Sequence, residues 1–99
     1  MRTKMYIDGQ WVDGIKTMPV TDPSDGSVIA EVAVAGPEQC EAAIAAADRA
    51  AADWAKTAPR VRSEILRKAF EIMVAEADAI ATIVSKENGK VLTLSLIHI

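Results

Sequence analysis

Alternating apolar and polar residues predict β structure at the start of the chain. Two short segments, Met5–Ile7 and Gln10–Val12, flank the dipeptide Asp8-Gly9. Asp and Gly tolerate the positive φ angles of a type I′ turn, so this arrangement favours a tight two-residue hairpin. The pattern therefore predicts a first β-hairpin over residues 5–12.

A second pair of extended segments follows. Residues 18–21 and 27–34 are separated by turn-forming residues at 22–26, and Val28, Ala30, Val32 and Val34 share one face of the later segment. Isolated two-stranded ribbons are marginally stable in water. We therefore expect two β-hairpins within residues 5–34 that need other elements to pack against.

After Gly36 the apolar spacing changes from two residues to three and four, which is typical of helices. Pro37 suits a first helical turn, and Glu38 interacts favourably with the helix dipole there. These signals predict a helix over about 37–55. Its predicted apolar stripe consists of Cys40, Ala43, Ile44, Ala47, Ala51 and Trp54.

A second helical segment begins at Pro59 and continues to the C-cap signal Asn88-Gly89. We expect it to break near 74–76, so that residues 37–90 form two or three helices. The chain as a whole is then α+β, with β-hairpins followed by helices. The second apolar stripe contains Val61, Ile65, Leu66, Ala69, Phe70, Met73, Ala77, Ile80, Ala81 and Val84.

Composition narrows the possible functions. The chain has 99 residues, which suffice for one small domain, and 18 of its apolar residues are alanine. Eleven basic residues against 14 acidic ones, with few aromatic residues, argue against a nucleic-acid partner. The single cysteine favours a cytoplasmic location. No segment has the length of a signal peptide's apolar region or of a membrane span, so we expect no membrane partner.

Few residues are candidates for chemistry. Cys40 and His98 are the sole potential thiol–imidazole pair, but the position of Cys40 on an apolar helix face favours a structural role. The glycines form neither a dinucleotide fingerprint nor a phosphate loop. Trp11 and Trp54 are open to interpretation as ligand anchors, although packing is the more common role. We predict no catalytic, cofactor-binding or metal-ligating residue in the chain.

Five sequence segments stand in a fixed order along the chain: 6–12, 20–32, 37–38 with 42–47 and Trp54, 60–70, and 87–90. The last two read Arg-Val-Arg-Ser-Glu-Ile-Leu-Arg-Lys-Ala-Phe and Glu-Asn-Gly-Lys. In this order the segments resemble the start of the NAD(P)-dependent aldehyde dehydrogenase superfamily, over residues 5 to about 92. The last two are most similar to succinate-semialdehyde dehydrogenases.

The resemblance implies an α/β parent fold, in which residues 1–93 are the N-terminal part of a cofactor-binding domain. It implies a homo-oligomeric, cytoplasmic enzyme that oxidises a small-molecule aldehyde with NAD or NADP, and succinate semialdehyde is the candidate substrate. The family's catalytic Cys, general-base Glu and oxyanion-stabilising Asn lie further downstream, so none is assigned to a residue here. We therefore expect a truncated fragment that is inactive and binds no cofactor.

Two features stand apart from the resemblance. Residues 94–99 match the translation of a transposase-based sequencing adapter, so we interpret them as a non-native tail; the alternative is a genuine apolar strand. The apolar stripe from Val61 to Val84 leaves a second function open. In this alternative, the chain is a stand-alone helical protein-interaction module that docks the stripe in a partner's groove.

Overall fold

The computed structural model, which describes residues 1–97, begins with the predicted hairpin. Strands β1 (Met5–Ile7) and β2 (Gln10–Val12) are antiparallel, with Tyr6 opposite Trp11. Asp8 and Gly9 have φ angles of 51° and 77°, as a type I′ turn requires. The prediction from the Asp8-Gly9 turn is confirmed.

Strands β3 (Lys16–Thr21) and β4 (Val28–Val34) form the second two-stranded sheet. β3 begins two residues earlier than the apolar pattern predicts. Its first residues are polar, yet the Thr17 hydroxyl donates to Glu31 at 3.0 Å across the hairpin, which extends the pairing. Just before β3, the Ile15 N–H donates to the Val34 carbonyl at 3.0 Å.

Helix α1 (Pro37–Lys56) matches the predicted helix over 37–55. Helices α2 (Pro59–Ala75) and α3 (Ala77–Asn88) are separated at Glu76, as the expected break near 74–76 requires. Gly89 follows α3 with a φ of 63°, which confirms the predicted left-handed C-cap.

A fourth helix, α4 (Leu92–Ile97), lies beyond the predicted helical region. Residues 37–90 contain three helices, in agreement with the prediction, and α4 is an additional helix. The strand considered as an alternative for the tail is wrong over residues 94–97. The apolar run has no helical period, so its pattern alone could not identify the helix. The N–H groups of Leu94 and Ser95 donate to the Val91 carbonyl and start its first turn. Residues 98 and 99 lie outside the described part.

The described chain divides into two compact units. One comprises Met1–Val20 and Ala30–Thr57, and the other comprises Thr21–Ile29 and the residues from Ala58 onward. In the first unit, small side chains of α1 face the β1–β2 hairpin: Ala43, Ala46, Ala47 and Ala50. In the second unit, α3 packs against α4, and Ser95 is fully buried.

The apolar stripes of α1 and α2 are largely exposed. Ile44 is 70% exposed and Leu66 is 71% exposed, and Ala81 is the one fully buried apolar residue among residues 1–97. The predicted stripe of α1 is only partly a packing face: Ala43 and Ala47 of the stripe face the β1–β2 hairpin together with Ala46 and Ala50, whereas Cys40, Ile44 and Trp54 are exposed. No helix within residues 1–97 combines the length and apolarity needed to cross a bilayer.

Candidate functional site

Cys40 lies near the start of α1 as an exposed free thiol. This contradicts its expected role as a packed apolar side chain, because the face of α1 that meets the hairpin is built from alanines instead. The second member of the candidate pair, His98, lies outside the described residues. The structure therefore does not bring a thiol and an imidazole together within residues 1–97.

The carboxylates of α1 stand on its solvent side. Glu38, Glu41, Asp48 and Asp53 are all exposed. Within residues 1–97, no group of three or more His, Cys, Asp or Glu side chains is arranged to hold a metal ion. These acidic residues thus have the surroundings of a solvated helix surface.

Trp11 packs within its own hairpin. Its ring lies 5.0 Å from the Tyr6 ring, centroid to centroid, and the Arg2 guanidinium lies 4.6 Å above it. Tilted aromatic pairs and cation–π contacts of this kind each add modest stability. Trp54 lies near the end of α1 and is 47% exposed. For Trp11, these contacts favour the packing interpretation over that of a ligand anchor.

The N-terminus of α1 is the place where a helix could bind an anion, because its first N–H groups lack helical partners. Here the Gln39 side chain occupies it. Gln39 Oε1 accepts a hydrogen bond from the Gly36 N–H at 2.8 Å, and Gln39 Nε2 donates to the Asp13 carbonyl at 2.7 Å. Gly36 is buried, and a Cβ added there would lie 2.7 Å from Ile15 Cγ2. Gln39 and Ile15 thus take up the space around Gly36 at this helix end.

Sequence reasoning missed Gln39, although a signal was present. Gln at the third helical position is half of a capping box, in which its side chain reaches back to the backbone before the helix. Two exposed ion pairs also link parts of the first unit. Arg49 lies 3.3 Å from Asp8 in the hairpin turn, and Lys4 lies 3.2 Å from Asp13. The four residues of these ion pairs thus have a structural role within the first unit.

The loop between β3 and β4 is rich in hydrogen bonds. Asp22 Oδ1 accepts from both the N–H and the hydroxyl of Ser24, and Asp25 Oδ1 accepts from the Ser27 N–H at 2.9 Å. Hydrogen bonds from Ser27, first from its hydroxyl and then from its N–H, lower the pKa of Asp25. Pro23 and Ser24 lie beside Gly89 at the end of α3. The loop is thus ordered by its own side chains and by this contact.

Comparison with known proteins identifies relatives with this architecture. The model of the aldehyde dehydrogenase family matches residues 11–99. Over 90 residues, the chain is 35% identical to human mitochondrial succinate-semialdehyde dehydrogenase, covering 91% of this chain and 17% of that protein. It is 38% identical over 91 residues to glutarate-semialdehyde dehydrogenase of Pseudomonas putida, covering 90% of this chain and 19% of that protein.

A solved structure supports the same relationship. Betaine aldehyde dehydrogenase from Staphylococcus aureus, crystallised with NAD+, superposes with a TM-score of 0.92 at 28% identity. That match covers 97% of this chain and 20% of the crystallised chain. The chain therefore spans about a fifth of the length of the relatives it matches. Its hairpins and helices reproduce the N-terminal portion of an α/β fold.

Proposed function

Because this chain belongs to the aldehyde dehydrogenase family, we propose that it is the N-terminal segment of an enzyme that oxidises an aldehyde to a carboxylic acid with NAD or NADP. The observation that carries the proposal is the match of residues 11–99 to the family. In this proposal, residues 1–93 contribute strands and outer helices to the cofactor-binding domain. Their role in this proposal is structural and not catalytic.

We infer that this chain contributes no dinucleotide site of its own. In support, the Gln39 side chain is bound to the Gly36 N–H at the start of α1, and Ile15 lies beside Gly36. We therefore place the cofactor and the reacting groups in other parts of a longer protein. The 99-residue chain expressed alone is expected to give no aldehyde-dependent reduction of NAD or NADP and no saturable binding of either. Turnover that disappears in Cys40→Ser would contradict this assignment.

For the substrate, we propose a small aldehyde with a distal carboxylate, and succinate semialdehyde is the leading candidate. The support is that two relatives, at 35% and 38% identity, are named for the semialdehydes of succinate and glutarate. A buried carboxylate is costly to desolvate unless charged or hydroxyl donors meet it. Such donors would discriminate against an aldehyde that lacks the carboxylate.

The test uses the full-length enzyme obtained by extending the reading frame from its source DNA. We expect kcat/KM for succinate semialdehyde to exceed that for butanal at least about tenfold, because hydrogen bonds to a charged group contribute about 1.5–3 kcal/mol. Butanal is the matched control, with similar length and no charge. A preference for butanal would refute the substrate while leaving the oxidation of aldehydes intact.

The remaining proposals concern the tail and the assembly. Although the family match extends to residue 99, we propose from their likeness to a translated adapter that residues 94–99 are adapter-derived. Source DNA read past codon 93 should then continue as a family sequence in place of Leu94–Ile99. Recovery of the same codons from the source genome would refute this. We further propose that the full-length protein is a cytoplasmic homo-oligomer. Cell fractionation of that protein tests its location, and mitochondrial import is the competing outcome. Light scattering tests its oligomeric state.

A further inference from the structure

Asn88 and Gly89 are neighbours at the end of α3 and form the one Asn-Gly pair in the chain. An asparagine side chain can be attacked by the backbone nitrogen of the following residue, which closes a succinimide ring. Glycine in the second position favours this reaction, because it has no Cβ to hinder the approach and its backbone adopts many conformations. The pair is therefore a candidate site of spontaneous chemical modification.

The reaction exchanges an amide for a carboxylate. The Gly89 nitrogen loses its proton and forms a bond to Cγ of Asn88, while the bond from Cγ to Nδ2 breaks and ammonia leaves. Water then opens the succinimide ring at one of its carbonyl groups. The product is either aspartate or isoaspartate, in which the main chain runs through Cβ and Cγ. Water is the one co-reactant, and nothing is oxidised or reduced.

The folded end of α3 holds both reacting groups in other bonds. The Gly89 N–H donates to the Ser85 carbonyl. The side chain of Asn88 is turned back along the helix, where Nδ2 donates to the Val84 carbonyl at 3.0 Å. Ring closure requires that the Gly89 nitrogen and Asn88 Cγ turn toward each other, which breaks both hydrogen bonds. The reaction therefore requires that the end of α3 first opens.

Further contacts keep this helix end closed. The Lys90 N–H donates to the Ser85 carbonyl at 3.2 Å, and the Ser85 hydroxyl donates to the Lys90 carbonyl. A Cβ added at Gly89 would lie 3.0 Å from Pro23 Cγ, so the loop between β3 and β4 lies directly against the turn. Ser85 thus fixes the backbone of Gly89 and Lys90 through both its carbonyl and its hydroxyl.

We propose that Asn88-Gly89 is a deamidation site of this chain, and that the hydrogen bonds of Ser85 slow the reaction by keeping the end of α3 closed. The proposal rests on local bonds within residues 84–90 and is independent of the dehydrogenase assignment. Either product hinders closure. A carboxylate at position 88 cannot donate to the Val84 carbonyl and is unfavourable at the negative end of the helix dipole. Isoaspartate also adds a carbon to the main chain, so deamidation loosens this helix end irreversibly.

The experiment is incubation of the 99-residue chain at neutral pH, with and without enough urea to unfold it, followed by peptide mass spectrometry. Replacement of the amide NH2 by a hydroxyl changes the mass, and Asn88 is the only asparagine in the chain. We expect deamidation at residue 88 to be at least about tenfold slower in the folded chain, which corresponds to an opening free energy of about 1.4 kcal/mol. Asn88→Gln should show no mass change over the same period, because its longer side chain would have to close a larger ring.

Two alanine variants test the role of Ser85. Ser85→Ala removes the bond from the hydroxyl to the Lys90 carbonyl. It should raise the rate in the folded chain about threefold or more, because the closed state loses the net contribution of one hydrogen bond. Thr82→Ala is the matched control. It removes a hydroxyl bond to the Asp78 carbonyl at 2.8 Å, in the same helix but away from its end, and should leave the rate unchanged.

Three results would overturn the proposal. They are no mass change at residue 88 even in urea, equal rates in the folded and unfolded chain, and a rate in folded Ser85→Ala no higher than that in Thr82→Ala. Circular dichroism checks that the variants retain their helices. If Ser85→Ala fails to fold, hydrogen exchange of the original chain decides. The amides of Gly89 and Lys90, both bonded to the Ser85 carbonyl, must then be protected as strongly as deamidation is slowed. Unprotected amides beside slow deamidation would refute the role of Ser85.

Discussion

Different kinds of internal contact stabilise the two units of the chain. In the unit made of residues 1–20 and 30–57, the most specific contacts are polar, such as the Gln39 bridge and the ion pair of Arg49 with Asp8. In the other unit, α3 and α4 enclose the fully buried residues Ala81 and Ser95. Polar bridges fix the positions of backbone segments but bury little apolar surface. The first unit therefore depends on a few close contacts between one backbone segment and another.

Much apolar surface is exposed on the helices of both units. Neither α1 nor α2 has a buried residue, although each carries an apolar stripe. Helices derive most of their stability from packing such a stripe against another element. Within residues 1–97 these stripes contribute little packing, so substitutions at the local hydrogen bonds and caps test the comparison most directly.

The largest expected effect is that of Gly14→Ala in the first unit. A Cβ at Gly14 would overlap the Val34 carbonyl oxygen and lie 2.7 Å from the Val34 nitrogen. The neighbouring bond from the Ile15 N–H to the same carbonyl holds the two segments together, so relief requires that this bond be stretched. We expect a loss of about 3 kcal/mol in the stability of this unit, as for overpacking elsewhere.

The measurement is amide hydrogen exchange at Ile15 and Ala33, whose N–H groups bond to Val34 and Thr3 respectively. Lys16→Ala is the control, because Lys16 is exposed in the next strand. Unchanged protection in Gly14→Ala would show that the close approach of the backbone is not what stabilises the first unit.

In the second unit, Gly89→Ala and Gly26→Ala form a matched pair. Both glycines have positive φ angles, 63° and 75°, at which an L-residue costs about 1 kcal/mol. An added Cβ at Gly89 would also lie 3.0 Å from Pro23 Cγ, whereas one at Gly26 would meet nothing within 4 Å. We expect Gly26→Ala to cost about 1 kcal/mol and Gly89→Ala about 2 kcal/mol in urea denaturation. Equal losses of stability in the two variants would show that the close approach of the added Cβ to Pro23 causes no further destabilisation.

The Gln39 bridge gives a smaller effect in the first unit. Gln39→Ala removes two hydrogen bonds and should cost about 1–2 kcal/mol. Gln39→Glu keeps an acceptor for the Gly36 N–H but sets a carboxylate oxygen against the Asp13 carbonyl, which repels it. It should therefore lose at least as much stability as the alanine variant, as measured by helix content against urea. A glutamate variant as stable as the original chain would show that the bond to the Asp13 carbonyl contributes nothing.

The sequence predicted the local elements better than their packing. The Asp8-Gly9 turn, the proline starts of α1 and α2, and the Gly89 cap are signals carried by one or two residues, and each was found in the structure. The packing face of α1 was predicted only in part, because Cys40, Ile44 and Trp54 are exposed and the hairpin faces alanines, of which only Ala43 and Ala47 belonged to the predicted stripe. Small side chains allow close approach yet give a weak hydrophobic signal. Helix α4 was missed because Leu92, Leu94 and Leu96 alternate with Thr93 and Ser95, which is the period of a strand.

The smallest expected effect concerns Asp25 in the loop of the second unit. Hydrogen bonds from Ser27 favour the charged carboxylate and lower its pKa. A group whose pKa is lower in the folded state stabilises that state above its unfolded pKa, near 3.9, and loses this contribution as the pH falls through the folded value.

We therefore expect the Ser27 amide resonance to titrate below the usual aspartate range, and the 22–27 loop to lose protection as the pH falls through that transition. Asp25→Asn should abolish this titration of the Ser27 amide. Ser27→Ala removes the hydroxyl, which is the largest cause of the shift, but keeps the backbone donor. The pKa of Asp25 should then rise part of the way toward its ordinary value, as followed by its carboxyl carbon in NMR. A carboxyl pKa that does not move in Ser27→Ala would show that the hydroxyl does not order this loop.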